Sequence, residues 1–310
     1  MSSRRTFLRQ LSTGGLLLGS GWLPMEALAA GAATSLTILH TNDMHSRIDP
    51  FPDDDQRYAG RGGMSARAAI IQQIRDSEQH VLLLDSGDIF QGTPYFNYYG
   101  GAPELELMSA MQYDAATMGN HDFDNGLDGF AAQLPKASFP FLVANYDFSD
   151  TVLHKKIQPY TTIKKGRLKI GVFGLGIELK GLVPDRLYGA TGYNNPIVKA
   201  QETADILRYD EKCDLVICLS HLGYSYKDNK VSDEVLAAST SGIDLILGGH
   251  THTFFDEPLS YKNSVGEAVL INQVGWGGVM LGRLNIIYDE VKRKNWRYTQ
   301  PVIVTKKSRG

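Results

Sequence analysis

The feature that most constrains this chain is a unit that recurs along it. A short apolar, β-branched run ends abruptly in a cluster of His, Asp or Asn, in four of five cases beside a glycine. Leu36-Thr37-Ile38-Leu39 leads into HTNDMH, Val81-Leu82-Leu83-Leu84 into DSGD, and Ala115-Ala116-Thr117-Met118 into GNHD. Leu215-Val216-Ile217-Cys218 leads into LSHLG, and Ile243-Asp244-Leu245-Ile246-Leu247 into GGHTH. Phe141-Leu142-Val143 and Ile170-Gly171-Val172-Phe173 are apolar runs of the same kind. Near-continuous apolar stretches of this length read as strands buried on both faces. Between them, Met64 to Arg75 and Pro103 to Met111 are rich in helix formers, the second opening on a Pro suited to a first helical turn. Strands alternating with helices predict an α/β fold with much parallel pairing. The segments AVLINQVGWGGVMLGRLNIIYDE and RYTQPVIVTKK predict further strands, antiparallel to their neighbours. The expected architecture is two packed mixed β-sheets flanked by helices.

In such sheets, ligands bind beyond the carboxyl ends of the strands. Five of those ends carry Asp43-Met44-His45, Gly87-Asp88, Gly119-Asn120-His121-Asp122, Ser220-His221 and Gly249-His250-Thr251-His252. Of the eight His in the chain, five fall in these clusters, while His40, His80 and His154 read as surface or packing residues. Taken singly, each cluster has an ordinary explanation: a strand-end Asp caps the next helix, and a strand-end His is a hydrogen-bonded core residue. Taken together, they offer nitrogen and oxygen donors without thiolates, a set that suits zinc, manganese, iron or cobalt. Thr93-Pro94 and the glycine-rich loop Gly275 to Gly278 suit the mouth of a site, and Trp276 suits either stacking or packing. GVFGLG lacks the spacing of a dinucleotide fingerprint, and no G-x-S-x-G elbow points to a serine hydrolase.

The first thirty residues do not read as part of the fold. Ser3-Arg4-Arg5-Thr6-Phe7-Leu8 opens a segment with a basic head, a short Gly-rich apolar middle and small residues at Ala27 and Ala29. That pattern is an export signal of the twin-arginine kind, and its apolar run is shorter than the roughly 20 residues that span a bilayer. Residues 1–30 are therefore expected to be a signal peptide, and 31–310 one catalytic domain, periplasmic or secreted and without a stable membrane anchor after cleavage. The formal net charge of −3 gives no basic surface for nucleic acid. Cys213 and Cys218, the only cysteines, are five apart across a strand, so they should point to opposite faces as buried apolar fillers without a disulfide.

The ordered set DMH, GD, GNHD, SH and GHTH resembles the calcineurin-like metallophosphoesterase superfamily. ILHTNDMHSRI, LLLDSGDIFQGTP, MGNHDFDNG and LINQVGWGGVMLGRLNI are similar to its 5′-nucleotidase and UDP-sugar hydrolase branch, over Leu36 to about Asn285. The resemblance implies a four-layer sandwich with two divalent ions. Asp43, His45 and His252 would hold the first, Asn120, His221 and His250 the second, with Asp88 bridging both. It implies that a hydroxide bridging the metals attacks phosphorus, that His121 contacts the phosphoryl group, and that Asp124 orients His121. Asp122 would be a supporting residue, and Asn145 a residue of the substrate pocket. The implied substrate is a phosphate monoester, most simply a 5′-nucleotide. The same site would also suit a 2′,3′-cyclic-nucleotide phosphodiesterase, a UDP-sugar hydrolase, or a thiosulfohydrolase of sulfur oxidation. Two-domain members carry a C-terminal nucleotide-binding domain that has no counterpart in these 310 residues, so a separate chain supplying it is a further expectation.

Overall fold

The computed structural model describes residues 33–289, 293–298 and 301–305. The expected signal segment lies outside them. Among the described residues, no helix is long and apolar enough to cross a membrane. The first half of the chain forms β1 (Ala33–Thr41), α1 (Met64–Ser77), β2 (Val81–Asp85), α2 (Pro94–Tyr99), α3 (Ala102–Ala110), β3 (Ala115–Ala116) and α4 (Gly126–Gln133). It continues through β4 (Tyr146–Asp147), β5 (Tyr160–Lys165), β6 (Leu168–Leu175), α5 (Asp185–Tyr188), β7 (Gly192–Tyr193) and α6 (Pro196–Asp205). The remainder is β8 (Leu215–Ser220), α7 (Asp233–Ser239), β9 (Leu245–Gly248), β10 (Leu259–Lys262), β11 (Ala268–Asn272), β12 (Met280–Asp289), β13 (Arg293–Tyr298) and β14 (Val302–Ile303).

Two six-stranded sheets result, ordered β13-β12-β1-β2-β3, with β14 beside β12, and β10-β11-β9-β8-β6-β5. β1, β2 and β3 run parallel, and so do β6, β8, β9 and β11. Antiparallel pairs close both edges of the second sheet and the β13 edge of the first, whose other edge is the parallel strand β3. Both sheets are therefore mixed, as the sequence pattern predicts.

Side-chain alternation then makes the layers. Leu36, Ile38, Leu82 and Leu84 of the first sheet meet Ile170, Val172, Ile217, Leu245 and Leu247 of the second in a shared core. Leu39 and Leu83, one residue out of phase, face Ile71 and Ile74 of α1 and Leu105 and Met108 of α3. Phe173 and Ile246 likewise face Ala200 and Ala204 of α6 and Leu236 of α7. The result is a helix–sheet–sheet–helix sandwich. α1 buries Met64, Arg67, Ile71 and Ile74, a spacing that keeps one face toward the sheet. Truncating Ile71 to Ala there would cost about 2–5 kcal/mol. α6 begins where its sequence says it should: Pro196 takes the first turn, and the Asn195 side chain accepts from the Ile197 and Val198 amides.

Three local expectations are corrected. The 115–118 run is a strand only over Ala115–Ala116, and Phe141 and Leu142 form isolated bridges instead of a strand. The cause is the turn after them: the Thr117 hydroxyl donates to the Leu142 carbonyl at 2.8 Å as the chain swings toward Gly119. β11 is antiparallel to β10 but parallel to β9, so the C-terminal strands are not uniformly antiparallel. Cys213 and Cys218 are free and buried as expected, yet both pack in the layer between the second sheet and its helices. Cys213 precedes β8, so strand alternation does not reach back to it.

Candidate metal centre

The parallel strands β1, β2, β8 and β9 end together, and their carboxyl ends carry the polar clusters. Asp43, His45 and His252 bring one donor atom each within 4.8 Å of one another, and so do Asp88, His221 and His250. His252 Nε2 lies 3.3 Å from Asp43 Oδ1 and 3.0 Å from His45 Nε2. In the second group, His221 Nε2 lies 3.1 Å from Asp88 Oδ2, and Asn120 Oδ1 is 2.9 Å from His250 Nδ1. The groups adjoin. Asp88 Oδ2 is 3.9 Å from His45 Nε2, and Asp43 Oδ1 is 4.0 Å from His221 Nε2. The structure thus gathers all seven residues singled out as ligands from the sequence, with Asp88 between the two sets.

The backbone bends to achieve this. Asp43, His45, Asp88, His250 and His252 all adopt positive φ, between 48° and 69°. L-residues rarely take this conformation, and such strain persists where the surroundings enforce it, commonly at functional sites. Two glycines let the turns close. A Cβ on Gly119 would lie 2.6 Å from the Asp88 nitrogen and from His221 Cε1, and one on Gly249 would lie 2.8 Å from His221 Nδ1.

Surrounding hydrogen bonds aim the donors. His221 Nδ1 is 2.7 Å from the Ser86 carbonyl, which makes Nδ1 the protonated nitrogen and leaves Nε2 with its lone pair. That Nε2 is fully buried and has no hydrogen-bond partner. It lies 3.1 Å from Asp88 Oδ2, a spacing that two ligands of one ion can share. Asn42 donates to Asp43 Oδ2 at 2.6 Å, and the His250 amide donates to both Asp43 oxygens at 3.0 Å. Asp122 sits beneath the turn and accepts from the amides of Asp88, Ile89, Phe90 and Gly119 at 2.8–3.1 Å.

Electrostatics argue for a cation. Burial, then the nearby His221, push the His250 pKa down to about 4, and burial also lowers that of His45, which keeps both neutral as metal ligands must be. Burial opposes charging of His221, but Asp88 and Asp43 push its pKa up to about 10: the buried carboxylates recruit a positive charge at that point. Asp88, despite burial, is held well below the ordinary carboxylate range by His221. The orphaned His221 nitrogen, the converging carboxylates and the N/O donor set fit two divalent ions.

Beside the ligands, His121 Nδ1 is 2.7 Å from Asp124 Oδ2, and the His121 amide donates to Asp88 Oδ1 at 2.8 Å. The Asp124 hydrogen bond raises the His121 pKa above its ordinary 6.5, against partial burial. Its ring centroid is 5.3 Å from that of His45, and its side chain keeps 41% of its surface exposed. It can meet a ligand from solvent. The two expected mouth loops also touch the site: Thr93 donates to the Ser46 carbonyl, Gly277 N to the Asp43 carbonyl, and Trp276 stacks on His252 at 5.7 Å.

Asn145 is held at the carboxyl end of β6, the strand whose Leu175 carbonyl accepts from the His221 amide. It is fully buried, and its amide is bonded at both ends to the backbone of Gly176. Two residues escaped sequence reasoning. Gln273 donates to the Gly249 carbonyl and accepts from the Thr253 amide and the Thr251 hydroxyl, pinning the GHTH turn. Asn42 ties Asp43 to Val274 and Gly275. Both sit in polar clusters that end apolar runs, the same signal that marked the ligands.

Two packed mixed sheets with a doubled N/O ligand set at their carboxyl ends define the scaffold of a metal-dependent phosphoester hydrolase. The chain belongs to the calcineurin-like phosphoesterase family, whose model matches residues 36–254. It is similar to the snake venom 5′-nucleotidase of Gloydius brevicauda, at 31% identity over 303 residues that cover 89% of this chain and 49% of that protein. It is similar to the 5′-nucleotidase of Homo sapiens, at 33% identity over 297 residues covering 84% and 48%. A 5′-nucleotidase precursor from Thermus thermophilus superposes with a TM-score of 0.77 at 29% identity, over 88% of this chain and 55% of that one. The chain spans about half the length of these relatives.

Proposed function

We propose that this chain is an exported, metal-dependent phosphomonoesterase acting on 5′-nucleotides. The observation that carries the reading is the pair of adjoining ligand groups, with buried Asp88 between them and the His121–Asp124 pair at their edge. Asp43, His45 and His252 would hold one divalent ion and Asn120, His221 and His250 the other, with Asp88 shared. When bound, two such ions polarise phosphate oxygens and supply an activated water for in-line attack on phosphorus.

The chain's own residues do the rest. Ser86 and Asn42 hold His221 and Asp43 in their coordinating orientations. Asp124 takes the Nδ1 proton of His121 as a hydrogen bond, which leaves Nε2 to face the phosphoryl group. A His121 protonated through its raised pKa donates from Nε2, stabilising charge on the phosphoryl oxygens and protonating the leaving alkoxide. The Arg4-Arg5 pair would direct the folded protein through a twin-arginine route.

Metal-reconstituted protein should release phosphate from AMP, and His121→Ala should lower kcat by about 10²–10³-fold while retaining metal. Full activity in His121→Ala would refute the role given to this residue. Replacing Arg4 and Arg5 by Lys in the 310-residue chain should block export, and undiminished export would refute that part of the reading.

A further inference from the structure

α1 carries one side chain that its place in the core does not explain. The helix buries Met64, Arg67, Ile71 and Ile74, and Arg67 is fully enclosed among them. Among the described residues its guanidinium pairs with no carboxylate. Nη1 donates to Met44 Sδ at 2.7 Å, Nη2 to the Gly278 carbonyl at 3.4 Å, and Nε has no partner. A thioether is a weak acceptor, and a buried charge without a counterion is costly to keep. A leucine or methionine would fill the same place without that cost.

Both of its partners belong to segments that present the first ligand group. Met44 stands between Asp43 and His45, each at positive φ, so holding the Met44 side chain holds the turn that aims both. Gly278 closes the loop whose Trp276 stacks on the His252 ring, 12° from parallel. Gly277 N already ties that loop to the Asp43 carbonyl, at 2.7 Å. A Cβ on Gly278 would overlap Arg67 Nη2, so the loop approaches the guanidinium as closely as a glycine permits. None of Asp88, Asn120, His221 or His250 is among the partners of Arg67.

We propose that Arg67 is the positioning residue of the first ligand group, holding the Asp43–His45 turn and the His252-facing loop in register through Met44 and Gly278. This role rests on the paired-metal reading above and adds to it a selectivity between the two ions. Donors on one planar, rigid head set a fixed angle between the segments they reach, which an apolar side chain cannot do. The second group is braced separately, by the Ser86 carbonyl on His221 and by Asp122 beneath the Asp88 amide. Loss of Arg67 should therefore loosen one ion and spare the other. It should not loosen the fold, because an apolar side chain of similar volume in place of a buried, unpaired charge is neutral or stabilising. The two effects have opposite signs, which separates positioning from a merely structural role.

Arg67→Met tests this with two readouts that need no turnover. In a manganese titration by calorimetry, one of two ions should bind about 10–100-fold more weakly and the other within about threefold of wild type. Thermal unfolding of the metal-free variant should give a Tm equal to or above that of wild type. Added to Asn120→Ala, which weakens the other ion, Arg67→Met should leave neither ion tightly held; added to His252→Ala, it should change little further. Gly278→Ala, which presses a methyl onto the guanidinium from the loop, should weaken the same ion and replaces Arg67→Met if that variant does not fold. Two ions bound with wild-type affinity, or both weakened alike, would overturn the role of Arg67 and leave the paired-metal reading standing. A lower metal-free Tm with both affinities unchanged would make Arg67 a brace of the core alone. A wild-type chain that binds no ion would overturn the metal reading itself, and this role with it.

Discussion

Gly119→Ala is the sharpest perturbation the geometry allows. Gly119 does not sit at a positive φ, so Ala carries no backbone penalty there and its effect is steric. The added methyl would lie 2.6 Å from the Asp88 nitrogen and from His221 Cε1, and closer still to Asp88 Oδ1. All three belong to buried groups of the second ligand set, so none can swing into solvent. Overpacking of this kind costs about 1–3 kcal/mol, and moving Asp88 or His221 should weaken metal binding about 10–100-fold. Gly266→Ala is the matched control: its φ is +83° and nothing lies within 4 Å of its added Cβ. It should cost about 1 kcal/mol through backbone strain alone. The assay is thermal unfolding with and without manganese, alongside a manganese titration by calorimetry. Gly119→Ala should lose most of the metal-dependent rise in Tm, and Gly266→Ala should keep it. If Gly119→Ala binds manganese with wild-type affinity, the turn is looser than the structure shows and the close-approach argument fails.

Asp124→Asn removes the negative charge from the acceptor that raises the His121 pKa, so the alkaline limb of kcat, where His121 loses its acidic proton, should move to lower pH. A pH–rate profile superimposable on wild type would count against Asp124 as the residue that positions His121. Asp122→Ala strands four buried amides and should cost about 3–5 kcal/mol in urea unfolding, whereas a loss below about 1 kcal/mol would contradict the bracing role. Burial lowers the His40 pKa from 6.5 to about 3, with Nε2 bonded to Asn272. Because the folded value lies below the unfolded one, this stability is complete above pH 6.5 and is lost as pH falls toward 3, by up to about 1.4 kcal/mol per unit. Relative to His40→Gln, wild type should lose about 1–2 kcal/mol between about pH 6.5 and 5, and parallel curves would refute the assignment.

Much of this arrangement could be read before any coordinates, because the signal was periodic. Leu82 and Leu84 face one layer and Leu83 the other, so a continuous apolar run could only be a doubly covered strand. The polar residues closing such runs had to emerge at one edge of a sheet, and Asp43, His45, Asp88, Asn120, His221, His250 and His252 do. What stayed hidden depends on contacts between distant segments. Asp122 looks like one more polar residue in GNHDFDNG, and its four-amide bracing task appears only once the turn after β2 lies over it. Gln273 is 24 residues from the Gly249 carbonyl it holds. Asn145 carries the same polar label as the ligands, yet it joins two backbone segments at Gly176. The strain at five of the ligand residues is likewise invisible in residue type, since Asp and His carry no mark of φ.

Metal stoichiometry tests the central claim most directly. The purified chain, stripped with chelator and dialysed against manganese or zinc, should retain two ions per chain by elemental analysis. His252→Ala and Asn120→Ala should each lower the retained metal, and AMP hydrolysis should follow it. One ion or none retained at saturating metal, or full AMP hydrolysis by the stripped protein, would contradict a paired-metal phosphoesterase site.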